Sequence, residues 1–276
     1  MKNLKMFCIT LEPSHIDLIK SLDYDPVVLG EKKTSINCFG DKTGENISSK
    51  NKYYGEYTFH YWLWKNYFKS LEENKWLGFC QYRKFWSLND VNFEDLSLRK
   101  LTEISLKEIP SKFEKYDVIL GKPFYINQRR TMKFLKKGFK LILSNPKYLF
   151  DEKSRTIKFH FDLMHGRNNL KKAIELLDDE NKKDFKHFVS TEYSFNPHNM
   201  FICKSKNLLR RYYEDIFKWL SLCEDIFGFE KLKGYGMTRI YGFLAERFMS
   251  YWFKKNAKYV EIPILFYDIN NDLDQK

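Results

Sequence analysis

Alanine is nearly missing from this chain, with three residues in 276, and proline and glycine contribute only 7 and 12. That scarcity leaves no Gly/Ser linker and no collagen-like or low-complexity segment. The five cysteines make an odd count with no C-x-x-C pair, which excludes a small disulfide scaffold. Cys8, Cys80 and Cys203 lie inside apolar runs and read as reduced core residues. No apolar run approaches the ~18 residues of a membrane span. Met6 to Leu11, near the start, is too short for a signal peptide. No period repeats along the chain. The expectation is one soluble, cytoplasmic domain over residues 1–268, with a polar tail, 269–276, that frays.

What is abundant is aromatic and basic. Phe, Tyr and Trp make up 18% of the chain and hydrophobic residues 43%, enough for a packed core and too much for a disordered basic protein. The net charge is +12, carried by 38 Lys against 10 Arg. Lys, Asn, Ile, Phe and Tyr in excess with almost no Ala is the composition that an AT-rich genome writes, so charge alone does not argue for nucleic acid. No nucleic-acid partner is expected. A non-catalytic basic nucleic-acid-binding protein is the competing reading, and it leaves the motifs below unexplained.

The first third alternates short apolar runs with helical patterns. Met6 to Leu11, Pro26 to Gly30, Trp76 to Tyr82 and Asp117 to Gly121 read as strands, and a helix fits Asn51 to Leu71. Strands separated by crossovers predict an α/β sheet with parallel members. From about Arg130 the pattern turns helical: Met132, Leu135, Phe139 and Ile142 keep 3 and 4 spacing, as do Leu170, Ile174 and Leu177. Phe201 to Cys203 reads as a short strand, Leu208 to Cys223 and Thr238 to Phe253 as helices, and Val260 to Phe266 as a last strand.

Two segments are more polar than a plain core would make them. DKTGENISSKN, Asp41 to Asn51, precedes an aromatic stripe of Tyr54, Tyr57, Tyr61, Trp64 and Phe68. Ser48 or Ser49 can cap that helix, and its first-turn N–H groups can take an anion. In WLGFCQYRKFW, Trp76 to Trp86, a buried strand ends in Gln81, Tyr82, Arg83 and Lys84. Ligands of open α/β sheets bind beyond the carboxyl ends of the strands, where paired cations suit a diphosphate. The other reading of the pair is a surface ion cluster. D-x-D occurs at Asp23/Asp25 and Asp272/Asp274, ahead of a strand and in the tail, and both read as turn or solvated residues. His160 and His165, five apart, stand about 500° around a helix from each other and share no face, so no metal site is expected there.

These residues carry a resemblance. Asp41, Thr43, Gly44, Asn46, Ile47, Ser48, Lys50 and Asn51 form one motif; Glu56, Thr58, Tyr61, Trp62, Trp64, Lys65 and Asn66 a second; Gly78, Cys80, Tyr82, Arg83 and Lys84 a third. With YDVIL (Tyr116 to Leu120), NMFICK (Asn199 to Lys204) and RIYGFLAER (Arg239 to Arg247), the order is similar to the bacterial capsular-polysaccharide and O-antigen glycosyltransferase family first catalogued as domain of unknown function 4422. Where that family often shows His before the Tyr-Arg pair and Arg after it, this chain has Gln81 and Lys84. A Thr-His-Lys triplet after the first strand stands here as Thr10-Leu11-Glu12.

The resemblance implies an A-type glycosyltransferase fold: a Rossmann-like mixed sheet flanked by helices, with a helix-rich C-terminal half. Residues 1–122 are then the nucleotide-sugar-binding half and 123–268 the acceptor half. It implies a hexosyltransferase, with galactose or galactofuranose among the sugars, using a nucleotide sugar of the UDP type and a lipid-linked or polysaccharide acceptor. The donor-binding candidates are Thr10, Asn46, Ser48, Lys50, Asn51, Tyr82, Arg83 and Lys84. Glu246, Asp41 and Glu56 are candidates for the catalytic carboxylate, although Glu246 equally suits an ion pair with Arg239 or Arg247. His165, Asn199 and Arg239 are acceptor or support candidates. A clamp of cations without a metal is the favoured answer to the leaving diphosphate, with Mn2+ or Mg2+ as the alternative. An inactive glycosyltransferase-like scaffold is the further alternative.

Residues 122–140 hold seven basic residues and no acidic one, and 97–140 carry twelve basic against four acidic. An amphipathic helix there either lies on an anionic inner leaflet or packs on its own domain.

Overall fold

The computed structural model describes residues 3–30, 38–73, 75–91, 96–127 and 146–272, so the basic stretch from 128 to 140 lies outside the described residues. The chain divides into two compact units: Met1–Lys122 with Asn199–Glu214 and Phe253–Lys276, and Pro123–His198 with Asp215–Trp252.

The first unit holds the sheet. Its strands are β1 (Leu4–Thr10), β2 (Asp25–Val28), β3 (Phe39–Gly40), β4 (Trp76–Gln81), β5 (Lys84–Trp86) and β6 (Val118–Gly121). The second unit contributes β7 (Phe124–Tyr125) and β8 (Ser194–Phe195), and the first resumes with β9 (Phe201–Cys203), β10 (Tyr259–Ile262) and β11 (Ile264–Phe266). The main path runs β10-β6-β9-β4-β1-β2-β3, with β5 on β4 and β11 on β5. Along that path β4, β1, β2 and β3 are mutually parallel, β6 is parallel with β10, and β9 is antiparallel to both neighbours. The result is a mixed sheet, with parallel and antiparallel members side by side. β1 and β4 read as near-continuous apolar runs because both faces are covered: Phe7, Cys8, Phe79 and Cys80 are buried. Phe59 of the helix Tyr57–Trp62 packs at 5.2 Å from the Phe7 ring, edge to face.

The described residues of the second unit are mainly helical beside the β7–β8 ribbon, with helices at Ile157–His165, Asn169–Ile174 and Asp179–Thr191. Phe185 meets Trp219, Phe248 and Tyr251, and Trp219 donates its indole N–H to the Ala173 carbonyl at 2.7 Å. Two long helices, Lys206–Phe227 and Ile240–Asn256, carry the chain from one unit's residues to the other's. Among the described residues no helix is long and apolar enough to cross a membrane.

The expected helix over Asn51 to Leu71 is broken. Gly55 sits at φ +60°, ending Asn51–Tyr54, and Tyr57–Trp62 passes into a π-helical stretch, Leu63–Tyr67. Neither Ser48 nor Ser49 caps the first segment: the Ser48 hydroxyl donates instead to Asn46 Oδ1 at 2.9 Å. The last strand is also two, parted at Pro263. Of the expected tail, Ile269–Asp272 form a short 3-10 turn with Ile269 buried, and the residues after 272 lie outside the described residues.

The loop from Lys42 to Ser48 is clamped onto the broken helix. Trp62 Nε1 donates to Thr43 Oγ1 at 2.9 Å, and Tyr61 donates to Glu45 Oε1 at 2.7 Å, where Lys65 also pairs at 3.2 Å. The Asn66 amide accepts from Glu45 N and donates to the carbonyls of Glu45 and Trp62. Gly44 stands at φ +59°, and a Cβ there would come within 2.0 Å of Asn66 Oδ1. Strain and collision therefore act together at one position. Gly44→Ala is expected to cost about 2 kcal/mol, read as a lower denaturation midpoint at unchanged m-value; wild-type stability would show that the clamp does not hold the loop.

Candidate active site

The carboxyl ends of β1, β2, β3 and β4 finish on one edge of the sheet. Because β9 runs the other way, it begins at that edge, with Asn199 two residues ahead of it. Thr10, Asp41, Gln81, Tyr82, Arg83, Lys84 and Asn199 are thereby assembled in one unit, and the loop clamp adds Glu56, the residue that precedes the helix Tyr57–Trp62.

β4 and β5 form a tight hairpin in which Gln81 pairs with Lys84, leaving Tyr82 and Arg83 as its two turn residues. Lys84 Nζ donates to Gln81 Oε1 at 2.8 Å, Gln81 Nε2 donates to Glu56 Oε1 at 3.2 Å, and Asn199 Nδ2 donates to the same oxygen at 2.8 Å. A carboxylate and an ammonium are so linked through one amide. Arg83 lies over the Tyr82 ring, 4.8 Å from its centroid, and its Nε pairs with Asp268 Oδ2 at 2.7 Å. Its side chain stays 52% exposed, so the guanidinium is fixed and reachable.

Beside the hairpin, Thr10 Oγ1 accepts from Glu12 N at 3.0 Å and lies 2.7 Å from His15 Nδ1. His15 is fully buried, stacks on Tyr82 at 4.9 Å, and places Nε2 2.8 Å from Asn270 Oδ1. Asn270 in turn donates from its backbone N and its Nδ2 to Asp268 Oδ1. His15, Asp268 and Asn270 were not among the residues singled out in the sequence. The partners stand up to 255 positions apart, and no local motif announces such a pairing.

Several expected donor-binding residues are hydrogen-bonded within the loop and the turn that follows it. Asn46 donates to the carbonyls of Lys42 and Gly44 and accepts from Ser48, while Asn51 Nδ2 donates to Gly55 O and Thr58 Oγ1. Lys50 ends the short 3-10 turn Ser48–Lys50. Asp41 is buried, with neither carboxylate oxygen in hydrogen-bond geometry with a described residue. Burial pushes its pKa up, only partly offset by the nearby Thr58 hydroxyl and Gly30 backbone.

Glu246, Arg239 and His165 belong to the second unit. Both oxygens of Glu246 are engaged: Oε1 accepts from the His198 backbone N–H at 2.6 Å, and Oε2 pairs with Arg247. Arg247 is buried among the rings of Phe161, Phe195 and Phe243 and also reaches His160 Nδ1. Burial, reinforced by Arg247, holds the His160 pKa down at about 3. His165 stacks on Phe243 at 4.0 Å, with Nδ1 3.0 Å from the Gly236 carbonyl. Arg239 lies over the Tyr235 ring at 5.9 Å.

The Asp23/Asp25 pair stands at the start of β2, at the opposite end from the strands' carboxyl edge. Asp23 is in the left-handed region ahead of β2, Asp25 opens β2 and pairs with Lys5 at 3.1 Å, and Asp272 accepts from the Tyr267 hydroxyl; Asp274 lies outside the described residues. Among the described residues no group of three or more His, Cys, Asp or Glu is placed to hold a metal ion.

Residues 8–257 match the family described as domain of unknown function DUF4422. Among solved structures, the chain is similar to the apo form of the bifunctional glycosyltransferase WbbM, with a TM-score of 0.69 and 21% sequence identity. The similarity covers 96% of this chain and 45% of that one, so the chain spans less than half of that protein's length. No curated protein matches it.

Asp41 carries a cost that can be measured. A carboxyl whose folded pKa is raised binds its proton more tightly in the folded state, so its contribution to stability is best below the ordinary Asp range and falls as pH rises through the raised value. Asp41→Asn is expected to stabilise the protein by about 1 kcal/mol at pH 7, roughly 2 °C in Tm, with the gain vanishing near pH 4. A gain equal at both pH values would show that the buried charge is not the cause.

Proposed function

We propose that this chain, which belongs to the DUF4422 family, transfers a hexose from a nucleotide sugar of the UDP type to a growing surface glycan, using the carboxyl edge of the first unit's sheet. The observation that carries the reading is the β4–β5 hairpin. It presents Arg83 and Lys84 where parallel strands end, beside Glu56. The likeness to WbbM supports the fold on which this reading stands.

Breaking the bond between sugar and diphosphate leaves negative charge on the departing phosphate oxygens. Arg83 and Lys84 would neutralise that charge as it grows, and donors aimed at developing charge are worth most when fixed beforehand. The stacking of Arg83 on Tyr82 and its pair with Asp268 fix one of them, and Gln81 fixes the other. Transfer to a hydroxyl also needs a group that takes its proton. We assign this to Glu56, held at the edge by the Gln81 and Asn199 amides, in preference to Glu246, whose two oxygens are committed to His198 N and Arg247. With charge compensation supplied by side chains, the reading is metal-independent. Acceptors of the lipid-linked or polysaccharide class follow from the motif resemblance, and a peripheral seat at an anionic membrane follows from the basic stretch.

A thermal-shift panel of UDP-, GDP-, CMP- and dTDP-sugars, each with manganese or with EDTA, tests this. A UDP-sugar is expected to raise Tm equally in both buffers, and Arg83→Ala to shrink the shift without removing it and to lower transfer on the order of 10²-fold. Binding seen only with manganese, or undiminished in Arg83→Ala, would contradict it.

A further inference from the structure

We infer that Asp268 is a positioning residue for Arg83, and that the segment Asp268 to Asn270 sets the direction of the diphosphate-binding guanidinium; the inference rests on the proposed role of Arg83. The contacts form a closed ring. Arg83 Nε donates to Asp268 Oδ2 at 2.7 Å, Asp268 Oδ1 accepts from Asn270 N at 3.1 Å and from Asn270 Nδ2 at 2.8 Å, and Asn270 Oδ1 lies 2.8 Å from His15 Nε2. His15 then returns to the hairpin twice, by stacking on Tyr82 and by its 2.7 Å contact with Thr10 Oγ1. The Arg83 carbonyl closes the circuit, accepting from Tyr267 N at 3.2 Å. The proton order is consistent around it: Glu12 N–H to Thr10 oxygen, Thr10 O–H to His15 Nδ1, and His15 Nε2–H to Asn270 Oδ1.

The pair is more than a surface ion contact. Asp268 is one-third exposed and pinned through two N–H groups, and Ile269 between it and Asn270 is fully buried, so the carboxylate has a fixed place from which to aim its partner. An arginine free to rotate would have to be ordered by the ligand, whereas this one is already ordered. The opposing effect is repulsion between the Asp268 carboxylate and a bound diphosphate. It acts across the intervening guanidinium in a solvent-exposed place, where screening is strong. Orientation is therefore the larger effect, and removing the carboxylate weakens the site.

The test is calorimetric binding of UDP and of inorganic pyrophosphate to the full chain. Asp268→Asn is expected to weaken both about tenfold with Tm within about 2 °C of wild type, Asp268→Glu to recover part of the loss, and Arg83→Ala/Asp268→Asn to bind no worse than Arg83→Ala alone. If Asp268→Asn does not fold, Asn270→Ser removes the amide that pins Asp268 and is expected to weaken binding about threefold. Unchanged or tighter binding in these variants, or additive losses in the double variant, overturns the inference while leaving Arg83 as the clamp. Unchanged binding in Arg83→Ala overturns the clamp and the inference with it.

Discussion

Strand β4 pairs in parallel with β1 on one side and antiparallel with β9 on the other, and this change of sense across a single strand decides what can meet at the sheet's edge. A parallel neighbour puts the end of β1, with Thr10, beside the end of β4. The antiparallel neighbour puts the beginning of β9, with Asn199, on the opposite flank. Glu56 accepts from Gln81 and from Asn199 only because both arrive at that edge. The hairpin that follows β4 then turns back immediately, so that Arg83 and Lys84 cannot drift away from the strand ends.

The motif residues divide between two jobs. Thr43, Gly44, Glu45, Asn46, Ser48, Tyr61, Trp62, Lys65 and Asn66 hold the loop and the helix to each other. They fix where Glu56 and the following helix begin. Glu56, Arg83 and Lys84 are the ones that present charge at the edge. Asp41 stands apart, a buried carboxylate on which folding incurs a cost.

What was legible in the chain follows from range. β1, β4, β6 and β9 were readable because a strand covered on both faces writes an unbroken apolar run, as Phe7, Cys8, Phe79 and Cys80 do. The position of Arg83 and Lys84 just past the end of β4 was readable because the apolar run of that strand stops at Cys80. The break at Gly55 was not, since 3 and 4 spacing of aromatics continues across it, and the φ of +60° is set by Asn51 and Thr58 folding back onto the turn. Nor were the roles of His15, Asp268 and Asn270. Their meaning lies in contacts between the two ends of the chain. Glu246 was open between base and ion-pair partner, and its contacts with Arg247 and His198 N come from packing around a buried guanidinium.

On the proposed reading, a nucleoside diphosphate is held by the β4–β5 hairpin at the carboxyl edge of the first unit. A crystal structure of the protein with UDP or its non-hydrolysable sugar analogue tests it most directly. Diphosphate oxygens are expected about 2.8 Å from Arg83 and Lys84 nitrogens, with the Arg83–Asp268 pair intact. A nucleotide bound elsewhere, or at that edge with neither side chain on its phosphates, would contradict it.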